Sequence, residues 1–272
     1  MEENKIWSAK WIWPRNSFLD KHEIVYFRRS FFVENDQCQL NINVSADSRY
    51  RLFLNGKSVC VGPLKGDNHT HYYETVDLSP YLKKGKNVLA AKVLHYSPLS
   101  SEPSPESIWH STKGGFLLEG SLQSSSGETI EILDSNQDWK CLIDHAIHYE
   151  AESWLSSIWL GGVERVNGAK LPHGWQSIEH NDSKWDHAVP FLDPQLDHGL
   201  LTPWQLTKRS IPFLYEKEKA FSRVMRSDEE NLPLTNVFIN NTGPLHLLKG
   251  KQFIVELDAG ELTTGYLNIK VS

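Results

Sequence analysis

The feature that most constrains the fold is a run of alternating apolar and polar side chains from Glu23 onward. Val25 and Phe27 are followed by Leu40, Ile42 and Val44, then by Tyr50, Leu52 and Leu54. Successive side chains of an extended strand point to opposite sides, so each set lies on one face. An apolar sheet face needs a second layer to cover it, and the pattern therefore predicts an all-β sandwich. Asn55-Gly56, between Arg51-Leu52-Phe53-Leu54 and Val59-Cys60-Val61, predicts a tight hairpin because both turn residues tolerate positive φ. Residues 87–94 are apolar on both faces, as a central strand requires.

Other segments carry turn chemistry. In 77–85, Ser79 is placed to cap a brief helical turn, Pro80 suits its first position and Gly85 suits its end. Pro98, Pro103 and Pro105 mark a loop, after which Phe116-Leu117-Leu118 and the Ile130/Ile132 pair read as strands. From 134 to 194 the alternation weakens while Trp139, Trp154, Trp159, Trp175 and Trp185 recur; long loops anchored by aromatics, with one short helix, are expected there. Residues 203–212 read as a connector, and 215–226 are ambiguous. Phe253, Val255 and Leu257, then Leu267, Ile269 and Val271, read as two final strands. The expected organisation is a jelly-roll or galactose-binding-like sandwich with Trp-rich loops over 1–202, then a linker and the start of a second β-domain over 203–272. Because the sequence stops straight after a strand, a fragment of a longer protein is expected.

Charge and cysteine usage narrow the partners. The formal charge is −6, from 34 acidic and 28 basic residues, with no basic tract, which argues against nucleic acid. No segment approaches the roughly 20 apolar residues of a membrane helix. The amino terminus is acidic, without a signal-like apolar stretch. Cys38, Cys60 and Cys141 are odd in number and far apart, so reduced, buried thiols in a cytoplasmic chain are expected, with no metal and no cofactor.

No nucleophile elbow, phosphate loop or His-Glu-x-x-His pair is present. His180, Asp182, Asp186 and His187, and separately Asp193, Asp197 and His198, combine imidazole with carboxylate but lack closed metal spacing; a turn at Asp182 ahead of Trp185 is the expected role. Asp67-Asn68-His69-Thr70-His71 is read the same way, as ordinary polar surface. Glycoside hydrolysis needs two carboxyl groups across one bond, and Glu74, Glu119, Glu150, Glu152, Asp134 and Asp138 offer candidates that spacing does not pair. Sugar rings stack on aromatics, which makes Trp109 with His110, and Trp154 with Trp159, the candidates for carbohydrate contact; loop anchoring is the favoured alternative role for them.

A family resemblance is carried by Trp11-Ile12-Trp13, Phe27-Arg28-Arg29-Ser30-Phe31, Tyr50-Arg51-Leu52-Phe53-Leu54-Asn55-Gly56-Lys57, the segment 73–78 and Gly85-Lys86-Asn87-Val88-Leu89-Ala90. It continues through Asp182 to Asp186 around Trp185, Arg209-Ser210-Ile211-Pro212 and the segment 253–271. In this order they resemble the amino-terminal region of bacterial α-L-rhamnosidases, an inverting glycoside hydrolase family. The resemblance implies a sandwich that accompanies a helical catalytic barrel bearing the acids that release terminal rhamnose. No amphipathic helix run for such a barrel is present, and no catalytic residue is carried over. It implies a non-catalytic accessory region whose partner is a missing carboxy-terminal catalytic domain, with rhamnose-containing glycans as the ligand class. An autonomous carbohydrate-binding module and a complete small glycoside hydrolase are the two competing functions.

Overall fold

The computed structural model describes residues 5–35, 37–67, 70–101, 113–150, 163–192, 206–229, 232–247, 250–265 and 267. The chain divides into two compact units, Met1–Pro212 and Phe213–Ser272. In the first unit the strands are β1 (Trp11–Trp13), β2 (Glu23–Val33), β3 (Gln39–Ala46), β4 (Arg49–Leu54), β5 (Lys57–Gly62), β6 (His71–Asp77), β7 (Gly85–His95) and β8 (Phe116–Gln123). They are followed by β9 (Thr129–Ile132), β10 (Lys140–Ile143), β11 (Ile147–Glu150), β12 (Val163–Val166), β13 (Asp186–His187), β14 (Val189–Leu192) and β15 (Leu206–Lys208).

Two sheets form the sandwich. The first runs β14-β1-β8-β3-β6-β15 with β9 also on β8, and the second runs β13-β10-β2-β7-β4-β5. The alternating residues meet between them: Leu40, Ile42 and Val44 from one sheet, and Val25, Phe27, Leu52 and Leu54 from the other, are buried in one cluster with Trp13, Phe116 and Trp139. Phe27 and Phe116 stack across the layers with centroids 5.2 Å apart, and Trp139 meets the Phe116 ring edge-on. Each such side chain contributes about 1.5–3 kcal/mol when removed from water, so this interface holds the sheets together. In β7, Val88, Leu89, Ala90, Ala91 and Val93 are all fully buried, as expected of a strand flanked by β2 and β4 and covered on both faces.

Asn55 (φ 54°) and Gly56 (φ 83°) form the β4–β5 hairpin turn. Asn55 also accepts from the Val88 amide and donates to Asn87, which pins the hairpin to β7. At 79–81 a 3-10 turn forms, but Ser79 does not cap it. Its hydroxyl accepts from the Leu40 amide instead, while Asp77 accepts from the Ser79 amide. A bond to a neighbouring strand has displaced the local cap.

The largest difference from expectation lies between 134 and 192. The expected loop anchored by aromatics forms over 167–185, with a 3-10 turn at Gly168–Lys170, but around it this region also adds β10 to β2, β13 to β10 and β14 to β1. Strands of two to four residues are too short to display a period, which hid them. Pro190 sits in β14 at the sheet edge, where its missing N–H leaves no ladder bond unmade in a central position. The segment read as a connector likewise contains β15, parallel to β6 and joined at Leu206 to His71.

The second unit contains β16 (Arg223–Ser227), antiparallel to β17 (Val255–Asp258), and a π-helical turn at Thr235–Ile239. Among its described residues Leu234 is the buried apolar side chain, while Leu214, Met225, Leu247, Ile254, Leu262 and Leu267 are exposed. Ile269 and Val271, expected in a last strand, lie outside the described residues.

Candidate functional site

The carboxylates singled out for hydrolysis occupy separate places. Glu74 points inward from β6 and is fully buried. Tyr50 donates to its Oε2 at 2.6 Å, the Leu64 amide to its Oε1 at 2.7 Å, and Arg209 Nη1 to Oε1 at 3.3 Å. Burial pushes its pKa up against the opposing effect of these donors. The same burial raises the Tyr50 hydroxyl well above its ordinary value and pushes the Cys60 thiol up to about 12. Gly62 is what admits this cluster, since a Cβ there would fall 2.5 Å from Glu74 Oε2. Arg209 also donates to the carbonyls of Ile211 and Pro212, so Glu74 fixes the course of the chain where the first unit ends.

Glu119 and Asp134 come together on the outer face of the first sheet. Both accept from the Ser8 hydroxyl, at 3.3 and 2.6 Å. Glu119 further accepts from the Ser8 amide, Asn43 and Lys5, which occupies both oxygens twice over. Asp134 accepts from the Gly120 amide at 2.9 Å. The pair borders a shallow depression of about 350 Å³ with Asn41, Asn43, Ser121, Thr129 and Ile132. Two adjacent carboxylates are a glycosidase prerequisite, yet a general acid must offer its proton to the glycosidic oxygen. Glu119, with all four acceptor positions filled by the protein, holds the amino-terminal segment against β8 instead. Asp138 lies 3.3 Å from Arg29 at the surface, and Glu152 is outside the described residues.

Trp109, His110, Trp154 and Trp159, the candidates for carbohydrate contact, all lie outside the described residues. The strands that bear their loops are described. Trp109 and His110 fall between β7 and β8, and Trp154 and Trp159 between β11 and β12. β7 ends at His95, directly opposite Glu23 at the start of β2. The β11 hairpin begins just after Asp144, whose amide bonds the Ile24 carbonyl. The base of the β11–β12 hairpin therefore lies at the same end of the second sheet as the end of β7, while the loop that carries Trp154 and Trp159 leaves from the opposite end of that hairpin, at Glu150 and Val163.

That end is built on a buried polar cluster. His95 Nδ1 lies 2.7 Å from Asp47 Oδ2, and Ser48 donates to the same oxygen. Glu23 accepts from Trp13 Nε1 and the Phe18 amide; burial raises its pKa against the pull of these donors and of nearby His95. Asp47 follows a strand of one sheet while His95 and Glu23 belong to the other, so the cluster clasps the two layers together.

Among the described residues no group of three or more His, Cys, Asp or Glu is arranged to hold an ion. Asp193, Asp197 and His198 fall outside those residues. Asp182 turns the chain before Trp185, whose amide bonds its carbonyl, as its sequence position suggests. Its carboxylate has a second role that the sequence did not reveal. Arg28, fully buried in β2, donates to Asp182 at 2.9 Å and to the carbonyls of Trp175, Ser177 and His180. Burial opposes ionisation of Asp182, but Lys140 and Arg28 outweigh it and hold the carboxyl below its usual range. This arginine fastens the 175–185 loop, whose Trp175 and Trp185 cover Tyr26 on the outer face of the second sheet. The Arg28-Arg29 pair in a largely apolar strand was the available signal. His71, also in a candidate cluster, is buried and contacts the Ala46 carbonyl at 2.8 Å. All three cysteines are buried and free, as expected.

The family model described as the α-L-rhamnosidase N-terminal domain matches residues 38–204. An α-L-rhamnosidase of Alteromonas sp. (strain LOR) is 25% identical over 222 residues, covering 77% of this chain and 22% of that protein. The GH78 family rhamnosidase of Bacillus sp. GL1 superposes with a TM-score of 0.61 at 23% identity, over 82% of this chain and 22% of that one. The α-L-rhamnosidase of Aspergillus terreus gives 0.58 at 19% identity, over 81% and 25%. The chain thus spans about a fifth of the length of the curated relative it matches.

Proposed function

The chain belongs to the family of α-L-rhamnosidase N-terminal domains, and from that premise we propose that it is a non-catalytic accessory region of a rhamnosidase-like glycoside hydrolase. In this reading the sandwich supports or shapes one side of a sugar site whose acids belong to a separate catalytic domain. The observation that carries it is the engagement of the carboxylates: Glu74, Glu119 and Asp182 are each held by several protein donors and serve as internal fasteners. The Arg209–Glu74 pair fixes the chain near the end of the first unit. The jelly-roll comparison and a cytoplasmic location are part of the same proposal, the latter supported by three buried free thiols.

The test is turnover of an aryl α-L-rhamnoside by the 272-residue chain. No release of the aryl alcohol above background is expected, and release abolished by Glu119→Gln or Asp134→Asn would establish the small-hydrolase alternative. The second reading, an autonomous carbohydrate-binding module, is motivated by the aromatic residues Trp109, Trp154 and Trp159 that the segments between β7 and β8 and between β11 and β12 carry. Tight, saturable calorimetric binding of a rhamnose-containing oligosaccharide, lost in Trp109→Ala or Trp154→Ala, would support that module over the accessory role.

A further inference from the structure

The sequence contains two Asn-Gly pairs, Asn55-Gly56 and Asn167-Gly168. Such a pair is chemically labile because glycine, lacking a side chain, lets its own backbone nitrogen reach the asparagine amide carbon. The two pairs place the same chemistry in opposite surroundings. Asn55 lies half-buried in the β4–β5 turn, and both polar atoms of its amide are engaged. Its Oδ1 accepts from the Val88 amide at 2.9 Å, while Nδ2 donates to Asn87 Oδ1 at 2.7 Å and to the Tyr81 carbonyl at 3.3 Å. Asn87 is fully buried and its polarity is fixed, since its Oδ1 also accepts from the Lys83 amide and its Nδ2 donates to the Lys83 and Gly85 carbonyls. Asn167 follows β12 and is exposed, as is Gly168. Its Oδ1 accepts from the Ala169 amide at 3.2 Å, and its Nδ2 has no partner among the described residues.

We propose that Asn167-Gly168 is a site of spontaneous covalent modification in the folded protein, and that the β4–β5 turn keeps Asn55-Gly56 in its amide form until the hairpin opens. The Gly168 nitrogen attacks Asn167 Cγ, the Cγ–Nδ2 bond breaks, and Nδ2 leaves as ammonia with the proton released by the attacking nitrogen. Water then opens the five-membered imide, giving its hydroxyl to a carbonyl carbon and its proton to the nitrogen. Cleavage at Cγ leaves aspartate in a normal backbone, whereas cleavage at the main-chain carbonyl leaves isoaspartate, with the chain routed through the side chain. To reach Cγ the nitrogen must swing round with its peptide group, which releases the Ala169 bond and the bond from the Lys170 amide to the Asn167 carbonyl. Both lie at the surface, where local opening is easiest. The same swing at Asn55 breaks the bonds to Val88, Asn87 and Tyr81 and takes a donor from the buried Asn87. The product is excluded there as well. An aspartate carboxylate at 55 would face Asn87 Oδ1 and the Tyr81 carbonyl, and Asn87 cannot turn its amide over without setting its NH2 against the Lys83 amide. At 167 an aspartate caps the 3-10 turn as well as asparagine does. Isoaspartate would instead add a backbone atom beside the bond from the Asn167 amide to the Ala146 carbonyl, at the base of the β11–β12 hairpin.

The experiment holds the 272-residue chain in mildly alkaline buffer, folded or unfolded in urea, and follows each Asn-Gly peptide by mass spectrometry, with isoaspartate separated by chromatography. In the folded chain Asn167 should convert faster than Asn55 by about tenfold or more, and in urea the two rates should come together. Gly168→Val, whose added Cβ meets nothing within 4 Å, should slow conversion at 167 by about tenfold and leave the fold intact. Asn167→Asp should melt with the parent, and Asn55→Asp well below it. Conversion in the folded chain that is equal at the two positions, faster at Asn55, or absent at Asn167 would overturn the proposal. A difference of the same size persisting in urea would also overturn it, by assigning the contrast to neighbouring residues rather than to the fold. Equal melting of the two aspartate variants would overturn the protection assigned to Asn55.

Discussion

The two units carry the same period-two signal and meet different fates. In the sandwich, β3 sets Leu40, Ile42 and Val44 against a facing sheet and all three are almost completely buried. In the second unit, β16 and β17 pair with each other and present Met225 to solvent, with Ile254 exposed immediately before β17. Alternation therefore makes a strand, while a second layer makes a core. A two-stranded sheet is marginal in water, and among the described residues of 213–272 nothing equivalent to the facing sheet is present. The first unit has an interior between two sheets; among its described residues the second has strands without one.

Four substitutions sharpen that contrast. Trp139→Ala should cost the most, about 3–5 kcal/mol in urea-induced unfolding, because the indole is fully buried, fills the space beside Phe116 and donates to two carbonyls. Arg28→Met should cost about 2–3 kcal/mol by the same measurement, since three carbonyls and Asp182 lose their shared donor while Lys140 still serves Asp182. Gly56→Val should lower stability by about 1–2 kcal/mol, as φ of 83° is strained for a β-branched residue. Met225→Ser, in the second unit, should stay within about 0.5 kcal/mol. A cost at Met225 equal to that at Trp139 would break the comparison.

A smaller, pH-dependent effect tests the inner carboxylate. The folded pKa of Glu74 is raised, so the protonated form is favoured by folding: its stabilisation is complete below 4.5 and is lost as pH rises through the higher folded value. Glu74→Gln should therefore gain stability relative to the parent as pH increases from 4.5, in thermal melts. A relative gain on acidification would reverse the assigned cause.

How much was legible in advance follows from what each element depends on. The β2, β3, β4 and β7 strands, long and locally patterned, and the Asn55-Gly56 turn could be read because their cause lies within a few residues. β10, β13, β14 and β15 could not, since their pairing is chosen by distant strand edges. Ser79 was misread as a cap for the same reason: Leu40, 39 positions away, takes its hydroxyl. For the site, the carboxylates could be named as candidates, but spacing gave no means of joining Glu119 to Asp134 or of finding Ser8 between them. Arg28 was missed because three of its partners are backbone carbonyls, which every sequence possesses, and the fourth, Asp182, is distant in the sequence.

Native-state hydrogen exchange on the 272-residue chain tests most directly whether a second layer, rather than strand pairing alone, makes a stable core. Amides of β2, β3, β7 and β8 should exchange only through global unfolding, and those of β16 and β17 within about 1 kcal/mol of free exchange. Equal protection in both sets would contradict the account.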